Sequence, residues 1–144
     1  MDIATAVEFV GSHRRGVLVT ERADGRPQLS NIAYNTDVRA PGGPIIRISV
    51  TDGRAKTANL RRTPKASLHV TREDFYAYAV VDCDVTLSAT AVAPDDAAVD
   101  ELVALYRSVA GEHPDWAEFR AAMVRDQRLV VRLRPYHAYG MLGG

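Results

Sequence analysis

The stretch Ser49-Val-Thr-Asp-Gly-Arg-Ala-Lys-Thr-Ala-Asn-Leu60 concentrates side chains able to hold an anion. It reads as a strand end, a tight turn permitted by Gly53, and a helix over 54–62 that opens with Arg54, Lys56 and Thr57 in its first turn. Helix N-termini carry unpaired N–H groups and a partial positive charge, so they suit anions and disfavour cations. A bound phosphate would resolve that conflict, with Arg54 as a fork, Lys56 as a point charge and Thr57 as a hydroxyl donor. From spacing alone, the same residues equally describe a solvated basic helix start near Asp52, Arg61 and Arg62.

A second polar run, Gly25-Arg-Pro-Gln-Leu-Ser-Asn31, follows an Asp24-Gly25 turn. Two-residue periodicity puts Gln28 and Ser30 on one side of a strand, where donors and acceptors could meet a planar heterocycle. Taken alone, the run is better explained as an edge strand with a polar outer face. The histidines give little: His13 reads as a helix-end cap, His69 as a strand residue and His113 as a helix-entry residue before Pro114. His137 sits in an aromatic terminal stretch that could line a pocket. Their spacing gives no metal site. Hydrolytic chemistry has no Gly-x-Ser-x-Gly turn, and Cys83 between Asp82 and Asp84 is a poor nucleophile because adjacent negative charge raises a thiol pKa. Neither a Gly-x-Gly-x-x-Gly nor a Walker A loop is present. An enzyme then requires that a cofactor carry the reaction.

The elements that must position these residues follow from the periodicity. A helix over 3–10 places Ile3, Ala6, Val7 and Val10 on one stripe. Strands are expected over 16–20, 28–35, 45–50 and 65–71, and a long one over 76–91 bends near Asp82-Cys83-Asp84. The short helix over 54–62 stops before Pro64. Helices from Pro94, with Val99, Leu102, Val103 and Tyr106 as its stripe, and over 116–125 precede a last strand from Arg128 towards Tyr139. Six mostly antiparallel, hairpin-linked strands with attached helices suggest a small barrel rather than a doubly wound parallel sheet.

Length and composition bound the function classes. The chain has 144 residues, 47% of them hydrophobic, which suits a single domain over 1–144. With 18 basic and 18 acidic side chains the formal net charge is zero, which argues against a nucleic-acid binder. Apolar runs such as Tyr76–Val81 are too short to span a membrane, no secretory signal is expected at the N-terminus, and a lone cysteine leaves no internal disulfide. The expected setting is cytoplasmic.

Three motifs in order, Gly25-Arg-Pro-Gln-Leu-Ser-Asn31, Arg54-Ala-Lys-Thr-Ala-Asn-Leu60 and Leu105-Tyr-Arg-Ser-Val-Ala-Gly-Glu-His-Pro-Asp-Trp116, resemble the actinobacterial split β-barrel flavin/deazaflavin oxidoreductases, which are pyridoxamine 5'-phosphate oxidase-like. The resemblance covers nearly the whole chain. It implies a six-stranded antiparallel split barrel, mainly β with flanking helices, that forms a homodimer with two cofactor sites at the subunit interface. Arg54, Lys56 and Thr57 would hold the cofactor phosphate, and Gln28, Ser30 and Asn31 would line the ring with Ser49 and Val50 flanking it. Tyr76 and Tyr78 would approach from the partner subunit, and His137 matches a C-terminal histidine of similar sequences. The implied cofactor is F420, a 5-deazaflavin, and the implied reaction is hydride transfer from its reduced form to a small conjugated organic substrate. Tyr34, His69 or solvent would supply the proton. The alternatives are an FMN-dependent, pyridoxine phosphate oxidase-like enzyme, a non-catalytic F420 carrier, and a structural dimer that binds nothing.

Overall fold

Helix α1 (Ile3–Gly11) begins where the Asp2 carboxylate accepts the backbone N–H of Thr5 at 2.8 Å, and its Ala6, Val7 and Val10 are buried. In this computed structural model, which describes residues 1–143, β1 (Arg15–Glu21) and β2 (Pro27–Ala33) form a hairpin. Its loop is shaped by the Asp24 carboxylate accepting the N–H of Arg26 and by the positive φ of Gly25. The chain continues as β3 (Asn35–Asp37), β4 (Ile45–Thr51), α2 (Ala55–Arg62), β5 (Lys65–Thr71), β6 (Tyr78–Leu87), α3 (Ala97–Ala110), α4 (Trp116–Arg125) and β7 (Arg128–Met141).

The strands form one antiparallel sheet in the order β2-β1-β5-β6-β7-β4-β3. Laid flat, seven strands would hold the outer two about 29 Å apart. Yet β2 and β3 are separated in sequence by Tyr34 alone, and two residue steps reach no more than about 7 Å. The sheet must therefore curl until its two margins meet, giving a barrel split between β2 and β3. This is the expected fold class, mainly β with flanking helices.

The expected strand count of six becomes seven. The strand expected over 28–35 breaks at Tyr34, whose N–H turns to the carbonyl of Arg14 at 2.9 Å. The long strand over 76–91 is shorter, ending at Leu87, and its bend is a register shift between Asp82 and Cys83. Gly140 is demanded by a close approach: its φ is +148°, and a Cβ there would stand 2.2 Å from the carbonyl oxygen of Tyr78. The barrel core gathers Leu18, Tyr34, Ile46, Ile48, Leu68, Val81, Leu129 and Leu133, with Ala6 and Val10 of α1. A second cluster of Val99, Leu102, Val103 and Val130 fastens α3 and α4 to β7. No helix among the described residues is long and apolar enough to cross a membrane.

Candidate functional site

The junction of β4 with α2 carries the charge pattern expected to draw an anion. Arg54 is the N-cap of α2 rather than a first-turn residue; its backbone is extended and its side chain caps nothing. No acidic residue stands in the first turn of α2, and Asp52 is taken up by an ion pair with Arg61. Thr57 is wholly buried and its hydroxyl donates to the carbonyl of Thr51 at 2.9 Å, so that proton braces the turn. Asn59, also buried, donates to Thr20 Oγ1 at 3.1 Å and ties the helix to β1.

Lys56 is half-buried and makes no ion pair among the described residues. Burial pulls its pKa below the ordinary lysine value, and the positive charges of Arg54 and Arg128 add to the effect. The side chains of Lys56 and Arg128 open into a cleft of about 430 Å³. Asn31 to Tyr34 form one edge of it, and Arg47, Ile48 and Ser49 of β4 form its floor. The opposite wall is apolar: Leu102, Leu105, Tyr106 and Val109 of α3 with Phe119 and Met123 of α4.

Two features shape that wall. Tyr106, His113, Trp116 and Phe119 form an aromatic cluster in which the Tyr106 ring lies 5.0 Å from Phe119 and 5.7 Å from Trp116. His113 accepts the N–H of Asp115 at 2.9 Å, the helix-entry role its position before Pro114 suggested. Glu101 of α3 accepts hydrogen bonds from Arg132 at 2.6 and 2.8 Å and from Arg47 at 3.2 Å, and Arg47 also pairs with Asp37. Burial alone would raise the Glu101 pKa, but the hydrogen bond and charge of Arg132, joined by Arg47, outweigh it and lower it. Arg47 is thus neutralised, whereas the positive charge around Lys56 is not.

Of the residues expected to bind a cofactor, Asn31, Ser49 and Lys56 meet at this cleft. Arg54 stands close enough to influence Lys56. Gln28 and Ser30 alternate with Asn31 along β2 and do not line the cleft, while Val50 is a core side chain 1% exposed. Tyr76, Tyr78 and His137 lie elsewhere on the same subunit. Tyr76 is exposed in the β5–β6 loop, and Tyr78 sits on the outer sheet face with its ring 5.5 Å from His69. His137 pairs through Nδ1 with Asp82 at 2.9 Å, and Asp82 also accepts the hydroxyl of Ser67. Cys83 is inert as expected: burial, helped by Asp82 and Asp84, pushes its thiol up to about 12.

Sequence reasoning passed over Arg128. Its register opposite Thr51 brings it to the cleft, and no local signal announces a pairing between residues so far apart in the chain. The Nε of Arg128 is buried with no hydrogen-bond partner among the described residues. An orphaned guanidinium N–H beside an unpaired lysine is a donor set that fits a phosphate-bearing cofactor.

The profile of the pyridoxamine 5'-phosphate oxidase family matches residues 3–141. Among solved structures, a conserved hypothetical protein from Mycobacterium tuberculosis is 21% identical with a TM-score of 0.70, over 98% of this chain and 84% of that one. A protein described as an F420 reductase is 24% identical with a TM-score of 0.61, over 88% of this chain and 89% of that one. The heme storage protein HutZ from Vibrio cholerae is 14% identical with a TM-score of 0.69, over 100% and 98%. At these identities the likeness is one of fold.

Proposed function

Because the chain belongs to the pyridoxamine 5'-phosphate oxidase family, we propose that it is an oxidoreductase that uses F420 to reduce a small conjugated organic molecule. The observation that carries the reading is the unneutralised positive charge of Lys56, with Arg54 near it, on a cleft also lined by the apolar side chains of α3 and α4. A ligand with an anionic tail and a flat, largely apolar ring system matches both features. The likeness to an F420 reductase supports the deazaflavin in particular.

Bound F420 would supply the hydride. The protein's share is to hold and enclose. Arg54 and Lys56 fix the anionic tail, Asn31 and Ser49 offer polar groups to the ring edge, and Tyr106, Phe119 and Met123 keep water from one face. Of the proton sources considered, Tyr34 has its hydroxyl committed to the carbonyl of Val10, and His69 stacks on Tyr78 at the outer sheet face. Solvent at the cleft mouth is then the donor.

The reading includes a cytoplasmic homodimer, in which Tyr76, Tyr78 and His137 complete the partner's site. The exposed apolar side chains Leu29, Phe75, Tyr76, Tyr139 and Met141 support it. FMN is the second reading, favoured by the family itself and by an anion site that would serve any phosphate ester. Fluorescence titration of F420 and FMN against the same protein tests the choice, followed by turnover of reduced F420 with conjugated acceptors. Micromolar or tighter F420 binding with weak FMN binding, and turnover, is the expected result. Preference for FMN moves the chemistry to a flavin, binding without turnover leaves a carrier, and binding of neither overturns the proposal.

A further inference from the structure

Arg128 is held with unusual care for a side chain that bonds to nothing. Its backbone is fixed on both sides: it stands opposite Thr51 in the β4–β7 ladder, its carbonyl accepts the N–H of Ala91 at 2.8 Å, and the neighbouring Gln127 carbonyl accepts the N–H of Asp52 at 3.0 Å. The residue before it, Gln127, has a φ of +51°, a left-handed conformation sparsely populated by residues with side chains. That turn lets the chain leave α4 and enter β7 with Arg128 beside the Asp52–Gly53 loop. The side chain lines the cleft, and its Nε has lost water without gaining an acceptor.

The other arginines nearby are different. Arg47 is matched by Asp37 and Glu101, and Arg132 by Glu101. Arg128 forms no ion pair among the described residues, and its charge is felt by Lys56. A buried donor left unpaired is costly, and a guanidinium presents its N–H groups in a fork that fits two oxygens of a phosphate.

We infer that Arg128 is the third cation of the anion site, donating through Nε to a phosphate-type group held with Lys56 and Arg54, and that it is the residue by which the cleft distinguishes a phosphorylated ligand from its uncharged counterpart. The inference deepens the oxidoreductase reading and rests on it for the identity of the ligand, though not for the presence of the anion. Because the Arg128 side chain bonds to no other residue described, Arg128→Gln leaves the fold in place, and Arg128→Lys keeps the charge while removing the fork.

The test has two readouts that need no turnover. In fluorescence titrations, Arg128→Gln is expected to weaken FMN or F420 about tenfold to a hundredfold, the range of one charge-assisted hydrogen bond. It should leave riboflavin, which lacks the phosphate, unchanged, with Arg128→Lys in between. In thermal melts, inorganic phosphate is expected to raise the Tm of the wild-type protein and to do so markedly less for Arg128→Gln. Equal affinity of wild type and Arg128→Gln for whichever of F420 and FMN the wild type binds overturns the inference, as does a parallel loss of FMN and riboflavin binding. A wild-type protein that binds neither FMN nor F420, yet is stabilised by phosphate through Arg128, overturns the oxidoreductase reading and keeps this one. If phosphate stabilises both proteins equally, Arg128 is not an anion ligand.

Discussion

The hydroxyl of Tyr34 donates to the carbonyl of Val10 at 2.7 Å, joining the last turns of α1 to the single residue that separates β2 from β3. Burial raises the Tyr34 pKa well above the ordinary tyrosine range, so the phenol stays protonated at any working pH. Tyr34→Phe is expected to cost about 1 kcal/mol, the worth of one ordinary hydrogen bond, measured as a lower urea midpoint. Turnover should survive. A collapse of kcat with little loss of stability would instead make Tyr34 the proton donor.

Lys56 couples binding to stability in opposite senses. Its folded pKa is lowered, first by burial and then by Arg54 and Arg128, so the folded state resists the charged form. Between that lowered pKa and the ordinary lysine value of 10.5 the unfolded chain binds more protons, and ligand-free stability rises with pH. Lys56→Met should therefore raise the Tm of the ligand-free protein while weakening FMN or F420 about tenfold or more. In the wild type, affinity for the anion should fall as pH rises through the lowered Lys56 pKa. A variant that binds as tightly as wild type removes Lys56 from the site.

Thr57 separates support from contact. Its hydroxyl belongs to the Thr51 carbonyl, so Thr57→Val should lower stability by about 1 kcal/mol, while Thr57→Ser largely keeps it. Chemical denaturation reads the first effect. A loss of phosphate-dependent stabilisation far beyond it would show that the hydroxyl reaches the ligand itself.

Gly140→Ala would drive a Cβ against the Tyr78 carbonyl at a backbone angle that side-chain residues rarely adopt. The expected cost is about 3 kcal/mol or more, seen as poor soluble yield or a sharply lowered Tm. A near-neutral result would mean that β6 and β7 can part locally.

If the protein forms the proposed homodimer, charge placed on its exposed apolar face should break it. Leu29→Asp and Tyr139→Asp place charge on outward-facing side chains that are 59% and 47% exposed in the isolated chain. Both are expected to shift sedimentation from two chains to one without altering the circular dichroism. If wild type already sediments as one chain, the shared site falls with the dimer.

Local chemistry wrote the fold legibly and the site only in part. Pro64 and Asp115 bracket elements whose bounds, Lys65–Thr71 and Trp116–Arg125, follow from the sequence alone, because a proline stop and an acidic cap act within a few residues. The bend near Asp82-Cys83-Asp84 was legible because aspartates sit poorly in the middle of a strand. The break at Tyr34 was not, since it is imposed by partners in α1 and at Arg14 rather than by a turn residue. Lys56 could be suspected because a cation at a helix start violates a local rule. Arg128 broke no such rule, and only the pairing of β7 with β4 reveals it. Thr57 satisfied the pattern for a phosphate ligand but turned inward, where a carbonyl three residues before Arg54 was the nearer acceptor.

The covalent link through Tyr34 also bears on how the chain behaves in company. An open sheet offers two margins of unpaired backbone to any neighbouring strand, and such margins seed aggregates. Here one margin is a strand of three residues, the other opens on Pro27, and a single residue tethers them to each other. Neither can lift away to template a foreign strand without dragging its opposite with it. The seam that leaves the barrel incomplete thereby guards it.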